Sequence, residues 1–204
     1  MIRNIIFDMG QVLVRFQPEV ICERITKDKI MAKELAELIM GSKEWDKLDE
    51  GTLSFEEAEA IFVQRSPELA DQIHQVLAHF DEIIDPMDAM EKLVIDLKQR
   101  GYSLYVLSNV SERYWNLKKR IPALALFKNQ VLSYAEKVNK PDQKIYEVLL
   151  NRYQLNPEEC LFIDDKMENL AVPQKMGWTV HQYKTAEECR QFFREMNILQ
   201  DSDE

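Results

Sequence analysis

Three carboxylates follow directly on short apolar runs of the sequence. Asp8 ends a run that begins at Asn4, and Asp164 and Asp165 end a second run that begins at Leu161. A charge at the end of a buried strand needs a partner or a cation, and three acids gathered at one place repel each other. Mg²⁺ suits such a place because it takes carboxylate oxygens, keeps several waters and binds substrate phosphates. The pattern therefore predicts a magnesium site.

Two further segments offer groups that bind an anion. Ser108 and Asn109 follow the apolar run from Leu104, and they supply a hydroxyl and the backbone N–H groups of a turn. Lys140 stands just before Pro141, at which the sequence predicts that a helix opens, and helix N-termini attract negative charge. These groups predict that an anion binds beside the metal.

Five short β-rich runs must position these residues. Continuous apolar runs are typical of strands covered on both faces, as in a parallel sheet between helices. The carboxyl ends of such strands share one edge, and open α/β sheets bind their ligands there. We therefore predict a three-layer, Rossmann-like α/β fold with a parallel sheet, whose strands lie at residues 4–8, 104–108, 130–133, 161–164 and 178–182.

A helical segment separates the first two of these strands and is far longer than one crossover needs. The pattern is helical throughout residues 17–84, and Ser54 with Glu57 has the spacing of a capping box. An insertion that leaves the sheet after its first strand would cover the ligand-binding edge. We predict a catalytic core made of residues 1–16 and 85–204, with residues 17–84 as a small helical cap.

Other local signals mark the ends of elements within the core. Asp85 is predicted as an N-cap with Pro86 at the first helical position, and Pro141 is predicted to open a later helix. The last five residues, from Gln200 on, predict a frayed tail.

The acidic composition limits the classes of partner. The 204 residues include 36 acidic and 26 basic side chains, which gives a formal net charge of −10. A nucleic-acid-binding protein needs a basic face, and docking on an anionic membrane also needs basic residues. We therefore expect neither nucleic acid nor membrane as a partner.

The expected compartment is the cytoplasm. No apolar run approaches the ~18 residues of a membrane-spanning helix, and the first apolar run ends at the charged Asp8, unlike that of a signal peptide. Cys22, Cys160 and Cys189 are too widely spaced for a metal knuckle and odd in number. Free thiols are typical of a reducing compartment. None of these features predicts an oligomeric state.

Taken together, the motifs resemble those of the haloacid dehalogenase (HAD) superfamily, and the resemblance covers essentially the whole chain. Four motifs occur in the family's order at the predicted strand and helix ends. They look most like those of the bacterial branch that contains glucose-1-phosphate phosphatase-like enzymes. The stretches that carry the resemblance are Phe7-Asp8-Met9-Gly10-Gln11-Val12, Leu107-Ser108-Asn109, Lys140-Pro141-Asp142-Gln143-Lys144-Ile145-Tyr146 and Phe162-Ile163-Asp164-Asp165.

The resemblance implies a phosphatase that forms a covalent intermediate. Asp8 would be the nucleophile that attacks phosphorus and becomes an aspartyl-phosphate. Ser108 and the N–H of Asn109 would hold the phosphoryl oxygens, and Lys140 would neutralise charge on the phosphate and on Asp8. The expected substrate is a small phosphorylated metabolite, most simply a sugar phosphate.

The same resemblance implies Mg²⁺ as the cofactor. Asp8, the backbone carbonyl of Gly10 and Asp165 would hold the ion, and Asp164 would act through a bound water. Asn169 lies four residues past Asp165; it either hydrogen-bonds the metal-binding acids or faces solvent.

One departure from the family's pattern matters for the chemistry. Most HAD phosphatases carry a second aspartate two residues after the nucleophile, which protonates the leaving group and later activates water; this chain has Gly10 there. General acid–base catalysis contributes about 10²–10⁴ in rate. The enzyme could act on esters with easy leaving groups or use another acid, for which Asp46, Glu50 or a water are candidates. It could instead be a 2-haloacid dehalogenase, or a non-catalytic regulator that binds phosphate and magnesium.

Three residues are candidates for the substrate mouth. Trp45 and Glu50 belong to the predicted cap, and Arg113 follows the second predicted strand. An aromatic platform suits a sugar ring, but Trp45 could equally pack inside the cap, and Arg113 could simply belong to an amphipathic helix.

Overall fold

The strands of the fold agree closely with the predicted runs. The computed structural model describes residues 1–200, and in this range the strands are β1 (Asn4–Phe7), β2 (Val14–Arg15), β3 (Asp85–Pro86), β4 (Ser103–Ser108), β5 (Asn129–Leu132), β6 (Cys160–Asp164) and β7 (Thr179–Gln182). Five of them form a parallel sheet in the order β5-β4-β1-β6-β7. Their bounds differ from the predicted ones by one residue at most. Of the predicted tail, residues 201–204 lie outside the described residues.

Helices fill most of the remaining chain. Within residues 1–200 the α-helices are α1 (Pro18–Thr26), α2 (Lys29–Leu38), α3 (Lys43–Glu50), α4 (Phe55–Arg65), α5 (Ala70–Ile83), α6 (Asp88–Gln99), α7 (Tyr114–Arg120), α8 (Pro122–Ala125), α9 (Ser133–Glu136), α10 (Gln143–Tyr153), α11 (Met167–Lys175) and α12 (Ala186–Glu195). None of these described helices combines the length and the apolar character that crossing a membrane requires.

The five-stranded sheet is covered on both faces because successive side chains of a strand point to opposite sides. Ile5 and Phe7 of β1 belong to one buried cluster, which also contains Leu93 of α6. Ile6 lies between them in the sequence and belongs to a second cluster, with Ile145 of α10. Helices therefore pack on either side of the sheet, which confirms the predicted three-layer α/β fold.

The central strands of the sheet bring the predicted chemical residues to one edge. The register aligns Phe7 of β1 with Val106 of β4 and with Ile163 of β6. Because the three strands run in the same direction, the residues that follow these positions lie side by side. The sequence-predicted residues Asp8, Ser108 and Asp164 are thus neighbours at the carboxyl edge.

Helices α1 to α5 occupy residues 17–84, which we call the cap segment. Ser54 forms the predicted capping box with Glu57: its Oγ accepts the Glu57 N–H at 3.2 Å, and the Glu57 carboxylate accepts the Ser54 N–H at 2.9 Å. The apolar stripe of α5, which includes Ile73, Val76 and Phe80, is buried as its helical spacing predicts. The division into a separate core and cap domain stays a prediction.

A short antiparallel ribbon closes the base of the cap segment and corrects one prediction. Asp85 and Pro86 form β3 and pair with Arg15 and Val14 of β2, whereas the sequence predicted them as the start of a helix. Helix α6 instead begins three residues after Asp85, with Met87 at its N-cap position. The pairing with the chain entering the cap holds Asp85 and Pro86 extended, and this tertiary contact outweighs the local helix signal.

The helix after Lys140 also begins later than predicted. Asp142 is the N-cap of α10, and its carboxylate accepts the Lys144 N–H at 2.9 Å. Pro141 therefore lies before the helix and does not open it. The Asp142 side chain thus caps the helix, because it satisfies an N–H group of the first turn that has no partner within the helix.

Three core side chains hold the end of α3, and we call this set of contacts the α3 tether. Ser133 Oγ donates to the carbonyl of Asp49, and Lys137 Nζ donates to the carbonyl of Gly51. Asn139 Nδ2 donates to the carbonyl of Asp46 at 2.9 Å. The carbonyl of Asp49 lies in the last turn of the helix, where carbonyls have no partner within the helix. The three bonds fix the end of α3 to residues 133–139.

We expect Gly51→Ala to destabilise the protein more than Gly101→Ala. Gly51 has a φ of +70°, and a Cβ there would lie 2.4 Å from the backbone oxygen of Tyr134. Gly101 has a φ of +88°, but a Cβ there would meet no heavy atom within 4 Å. The left-handed conformation should lower the free energy of unfolding of both variants by roughly 1–2 kcal/mol. The clash at Gly51 should lower it by about 1–3 kcal/mol more. Urea unfolding measures both; equal losses would show that the contact with Tyr134 does not matter.

Candidate active site

The centre of the site is a buried lysine between two carboxylates. Lys140 Nζ lies 2.9 Å from Asp8 Oδ1 and 2.7 Å from Asp164 Oδ2, and it also donates to the carbonyl of Leu107 at 2.9 Å. The three donors of the ammonium group are thereby used. All three ionic side chains are buried, so their charges act on each other with little screening by water.

Burial and charge act in opposite directions on these groups. Burial raises the pKa of Asp8 to about 6; the Asp164 charge acts in the same direction, and Lys140 opposes both. Burial lowers the pKa of Lys140, but the charges of Asp8 and Asp164 outweigh burial and raise it above its ordinary value. Lys140 therefore stays charged, and it keeps a carboxylate available at Asp8.

Asp164 is held by donors on all sides. Its Oδ1 accepts the N–H of Lys166 at 2.8 Å, and both of its oxygens lie 3.0 Å from Asn169 Nδ2. Together with the bond from Lys140, these contacts use the acceptor capacity of a fully buried carboxylate. Asp164 therefore fits a positioning role better than direct contact with an ion, and Asn169 binds an acid of the site and does not face solvent.

Asn109 fixes the backbone at Lys140. Its Nδ2 donates to the Lys140 carbonyl at 3.0 Å, and its Oδ1 accepts the Lys140 N–H at 2.7 Å. Ser108 is buried, and its Oγ contacts the carbonyl of Asn109 at 3.4 Å. The sequence predicted both residues as phosphate-binding groups, but it did not reveal that the Asn109 side chain holds Lys140 in place, since the two residues are 31 positions apart.

The three predicted metal-binding acids form one cluster. Asp8, Asp164 and Asp165 each offer a carboxylate oxygen, and these oxygens lie within 4.8 Å of one another. Burial, and secondly the charge of Asp164, raises the pKa of Asp165. Crowded, partly desolvated carboxylates are a donor set that a hard divalent cation such as Mg²⁺ neutralises. The residues present therefore fit Mg²⁺, with the Gly10 backbone nearby on the same cavity wall.

A cavity of about 210 Å³ opens onto this centre from the cap segment. Its polar floor comes from the sheet edge, and its apolar wall comes mostly from the cap segment and the chain after β4. The floor includes Asp8, Gly10, Asn109, Lys140, Asp165, Lys166 and Asn169, and the wall includes Phe16, Met40, Trp45, Phe80, Ile84, Val110 and Leu117.

Two of the three predicted substrate-mouth residues line this cavity. Trp45 lines it and packs edge to face against Phe80, with ring centroids 5.0 Å apart, so it is a packed cap residue and a wall residue at once. Arg113 lines it as well and is paired with the buried Asp81 at 3.4 Å. Glu50 is not among the described residues that line the cavity, and its carboxylate accepts a bond from Thr52 at 2.9 Å.

Asp49 is a site residue that sequence reasoning missed. It lines the cavity from the last turn of α3, near the backbone N–H of Ser111, which lowers the pKa of its carboxyl group. Burial, and secondly the charge of Asp46, raises the pKa of Asp49 to about 7. One signal in the sequence could have found it: Asp49 stands four residues after Trp45, so the two share a helix face.

The three-layer fold defines a Rossmann-like α/β protein, and its buried ionic centre lies at the carboxyl edge of the sheet. The chain matches the haloacid dehalogenase-like hydrolase family over residues 2–177. It belongs to that family and is an enzyme.

Known proteins similar to this chain include a phosphatase, a HAD family enzyme and dehalogenases. The chain is 27% identical over 176 residues to the sesquiterpene phosphatase astK of Aspergillus oryzae, and the match covers 84% of this chain and 85% of the relative. The HAD family enzyme BT-2542 of Bacteroides thetaiotaomicron, solved in complex with magnesium and inorganic phosphate, superposes with a TM-score of 0.76 at 22% identity. That likeness covers 95% of this chain and 100% of the other.

L-2-haloacid dehalogenase from Xanthobacter autotrophicus has the same fold. It superposes with a TM-score of 0.66 at 15% identity, which covers 98% of this chain and 85% of the other. At such identities the solved structures show a common fold, and the chemistry must be argued from the residues of the site.

Proposed function

We propose that this hydrolase is a Mg²⁺-dependent phosphatase that cleaves a small phosphomonoester through a phospho-aspartate on Asp8. The observation that carries the proposal is the contact of buried Lys140 with Asp8 and Asp164, at 2.9 Å and 2.7 Å, beside a third carboxylate on an open cavity. A phosphoryl group carries negative charge, so it needs this concentration of positive charge close to the nucleophile.

Each residue of the centre has a task in this reaction. Asp8 attacks phosphorus, and Lys140 offsets negative charge on Asp8 and on the incoming phosphate. Ser108 and the backbone N–H of Asn109 bind phosphoryl oxygens. Mg²⁺, when bound by Asp8, the Gly10 carbonyl and Asp165, supplies further charge neutralisation at the phosphate.

The dehalogenase alternative is weaker because it leaves these residues without a task. Halide leaves without a proton, which would suit a site with Gly10 in place of an acid. However, dehalogenation needs no divalent ion, whereas Asp165 and Asp164 add two carboxylates to a site that already contains Asp8. Three clustered acids favour metal-dependent phosphoryl transfer.

The alcohol part of the substrate has two candidate classes. The resemblance of the motifs predicts a sugar phosphate. The cavity wall favours the phosphate of an apolar alcohol, because Trp45, Phe80, Met40 and Leu117 line the cavity. Contact with these side chains would remove the apolar surface of such an alcohol from water, which is favourable. The relative astK, a sesquiterpene phosphatase, supports this second class.

A panel of esters assayed with and without metal tests the proposal. We expect turnover of phosphomonoesters with Mg²⁺, loss of that turnover in EDTA, and recovery when Mg²⁺ is restored. Sugar phosphates, nucleotides, p-nitrophenyl phosphate and alkyl or prenyl phosphates distinguish the substrate classes. Mg²⁺ at 100 times its Kd should also stabilise the fold by about 2.7 kcal/mol. Metal-independent release of halide from a 2-haloacid would overturn the proposal.

We propose the cytoplasm as the site of action and a small phosphorylated metabolite as the partner. Cys22, Cys160 and Cys189 are buried and unpaired, which suits a reducing compartment. The net charge of −10 disfavours nucleic acid and anionic membranes.

A further inference from the structure

We propose that Asp49 of the cap segment is the general acid and base of this enzyme, the task that Gly10 has no side chain to perform. The inference rests on the proposed phosphatase function. It assigns a second catalytic residue, contributed by the cap segment to a reaction whose other groups come from the core.

The carboxyl groups of the cavity differ in the tasks that they can take. Of the described residues that line it, Asp8, Asp46, Asp49 and Asp165 carry a carboxyl group. Asp8 is the nucleophile, and Asp165 belongs to the metal cluster. Asp46 is exposed, so its carboxyl group is less confined than that of the half-buried Asp49. Asp49 remains.

Asp49 is held in place through its backbone. Its carbonyl is part of the α3 tether through Ser133, and the nearby backbone N–H of Ser111 acts on its carboxyl group by lowering the pKa. Ser133 Oγ also accepts the N–H of Val110 at 2.9 Å. Ser133 thus connects the Asp49 carbonyl to Val110, which directly follows the proposed phosphate-binding residues Ser108 and Asn109. A catalytic acid needs such fixed geometry relative to the phosphate.

The proton affinity of Asp49 suits a general acid and base. Asp49 is partly buried, and its raised proton affinity, with a pKa of about 7, suits a group that must both donate and accept a proton near neutral pH. Asp46 and Asp8 raise this pKa in addition to burial, and Lys166 and the Ser111 N–H oppose them.

Space at Gly10 is not what excludes an aspartate there. A Cβ at Gly10 would have Phe16 Cβ as its nearest neighbour at 3.9 Å, an ordinary contact. Packing therefore does not require glycine at this position. A general acid and base elsewhere in the cavity would explain why the chain needs no aspartate here.

The proposed proton transfers balance over two half-reactions. An Asp8 oxygen bonds to phosphorus, the bond from phosphorus to the ester oxygen breaks, and its electron pair stays on that oxygen, which takes the proton of Asp49. In the second half, Asp49 takes a proton from water while the water oxygen attacks phosphorus. The bond to Asp8 breaks with its electrons returning to the Asp8 carboxylate. Inorganic phosphate leaves, and Asp49 is protonated again.

The test compares Asp49→Asn with the wild type on two substrates by rapid quench with Mg²⁺. The p-nitrophenolate ion leaves readily without a proton, whereas an alkoxide does not. We expect the variant to release the first equivalent of p-nitrophenolate within about threefold of the wild-type rate, and then to turn over about 10²–10⁴-fold more slowly. With an alkyl phosphate, the first turnover itself should slow by about 10²–10⁴-fold.

Two matched variants on the same helix sharpen the result. Glu50→Gln removes a neighbouring carboxylate that does not line the cavity. This variant should release the first equivalent of p-nitrophenolate, and then turn over, at the wild-type rates. Asp46→Asn tests the competing acid. The inference is overturned if Asp49→Asn slows the p-nitrophenolate burst as much as the alkyl phosphate turnover, if it slows neither, or if Asp46→Asn gives the expected pattern instead. Absence of turnover by the wild type would overturn the proposed function itself.

Discussion

Replacing Asp8 with asparagine should lower kcat by a factor on the order of 10⁶, the loss that follows removal of the nucleophile in other covalent hydrolases. The amide is nearly the same shape as the carboxylate but cannot form the phosphoryl intermediate. Steady-state assays with Mg²⁺ measure the loss. Asp71→Asn, which changes an exposed carboxylate on α5, should keep full activity.

The same variant should keep its fold. The pKa of Asp8 in the folded protein, about 6, lies above the ordinary value of 3.8 for this side chain, because burial disfavours its ionised form. The ionised form is therefore disfavoured by folding, and the native state loses stability as the pH rises through this range. Removal of the charge should leave the melting temperature at pH 7, in metal-free buffer, no lower than that of the wild type. Substantial turnover by a folded Asp8→Asn protein would rule out the covalent mechanism.

Replacing Lys140 with methionine should abolish activity and destabilise the fold. Lys140 is the partner of Asp8 and Asp164, and its side chain is 1% exposed. Loss of one member of a buried ion pair typically costs about 3–5 kcal/mol because an uncompensated charge remains. Urea unfolding at pH 7 in metal-free buffer measures the cost. Lys144→Met, at an exposed position of α10, should change stability by less than about 0.5 kcal/mol.

The pH dependence separates the loss of charge from the loss of packing. Lys140 lowers the pKa of Asp8, so its removal raises that pKa further above the unfolded value. The folded variant then binds more protons than the unfolded chain, and its stability falls as the pH rises. The deficit relative to the wild type should therefore shrink between pH 7 and pH 5. A deficit that stays constant over this range would indicate lost packing alone.

Several candidate site residues of the core could be predicted from the sequence because each of them ends an apolar run. Asp8, Ser108 and Asp164 each end an apolar run, and parallel pairing brings the ends of such runs together. The apolar runs predict the strands well since every residue of a covered strand must be apolar. The same logic cannot reach β2 and β3, because two-residue strands have no periodicity to detect.

The cavity-lining residues of the cap segment were harder to predict from the sequence, because the orientation of each helix decides which side chains line the cavity. Glu50 and Asp49 are adjacent, but successive residues on a helix point about 100° apart. The sequence named Glu50, whereas the cavity receives Asp49. The sequence left open whether Trp45 supports a sugar ring or packs inside the cap, because it could not show which side chains from other parts of the chain surround Trp45.

The α3 tether has a consequence for protein engineering. Cap segments of this kind invite exchange between relatives as independent modules that carry specificity. Here Ser133, Lys137 and Asn139 of the core bond the end of α3, and Asn139 directly precedes Lys140. A chimera that transplants residues 17–84 alone would separate these donors from their acceptors at the end of α3. Arg113, Asn116 and Arg120 also bond the cap segment, at Asp81, Leu77 and Ile84. The exchangeable unit is therefore discontinuous: besides the cap segment it comprises at least residues 133–139 and the α7 region.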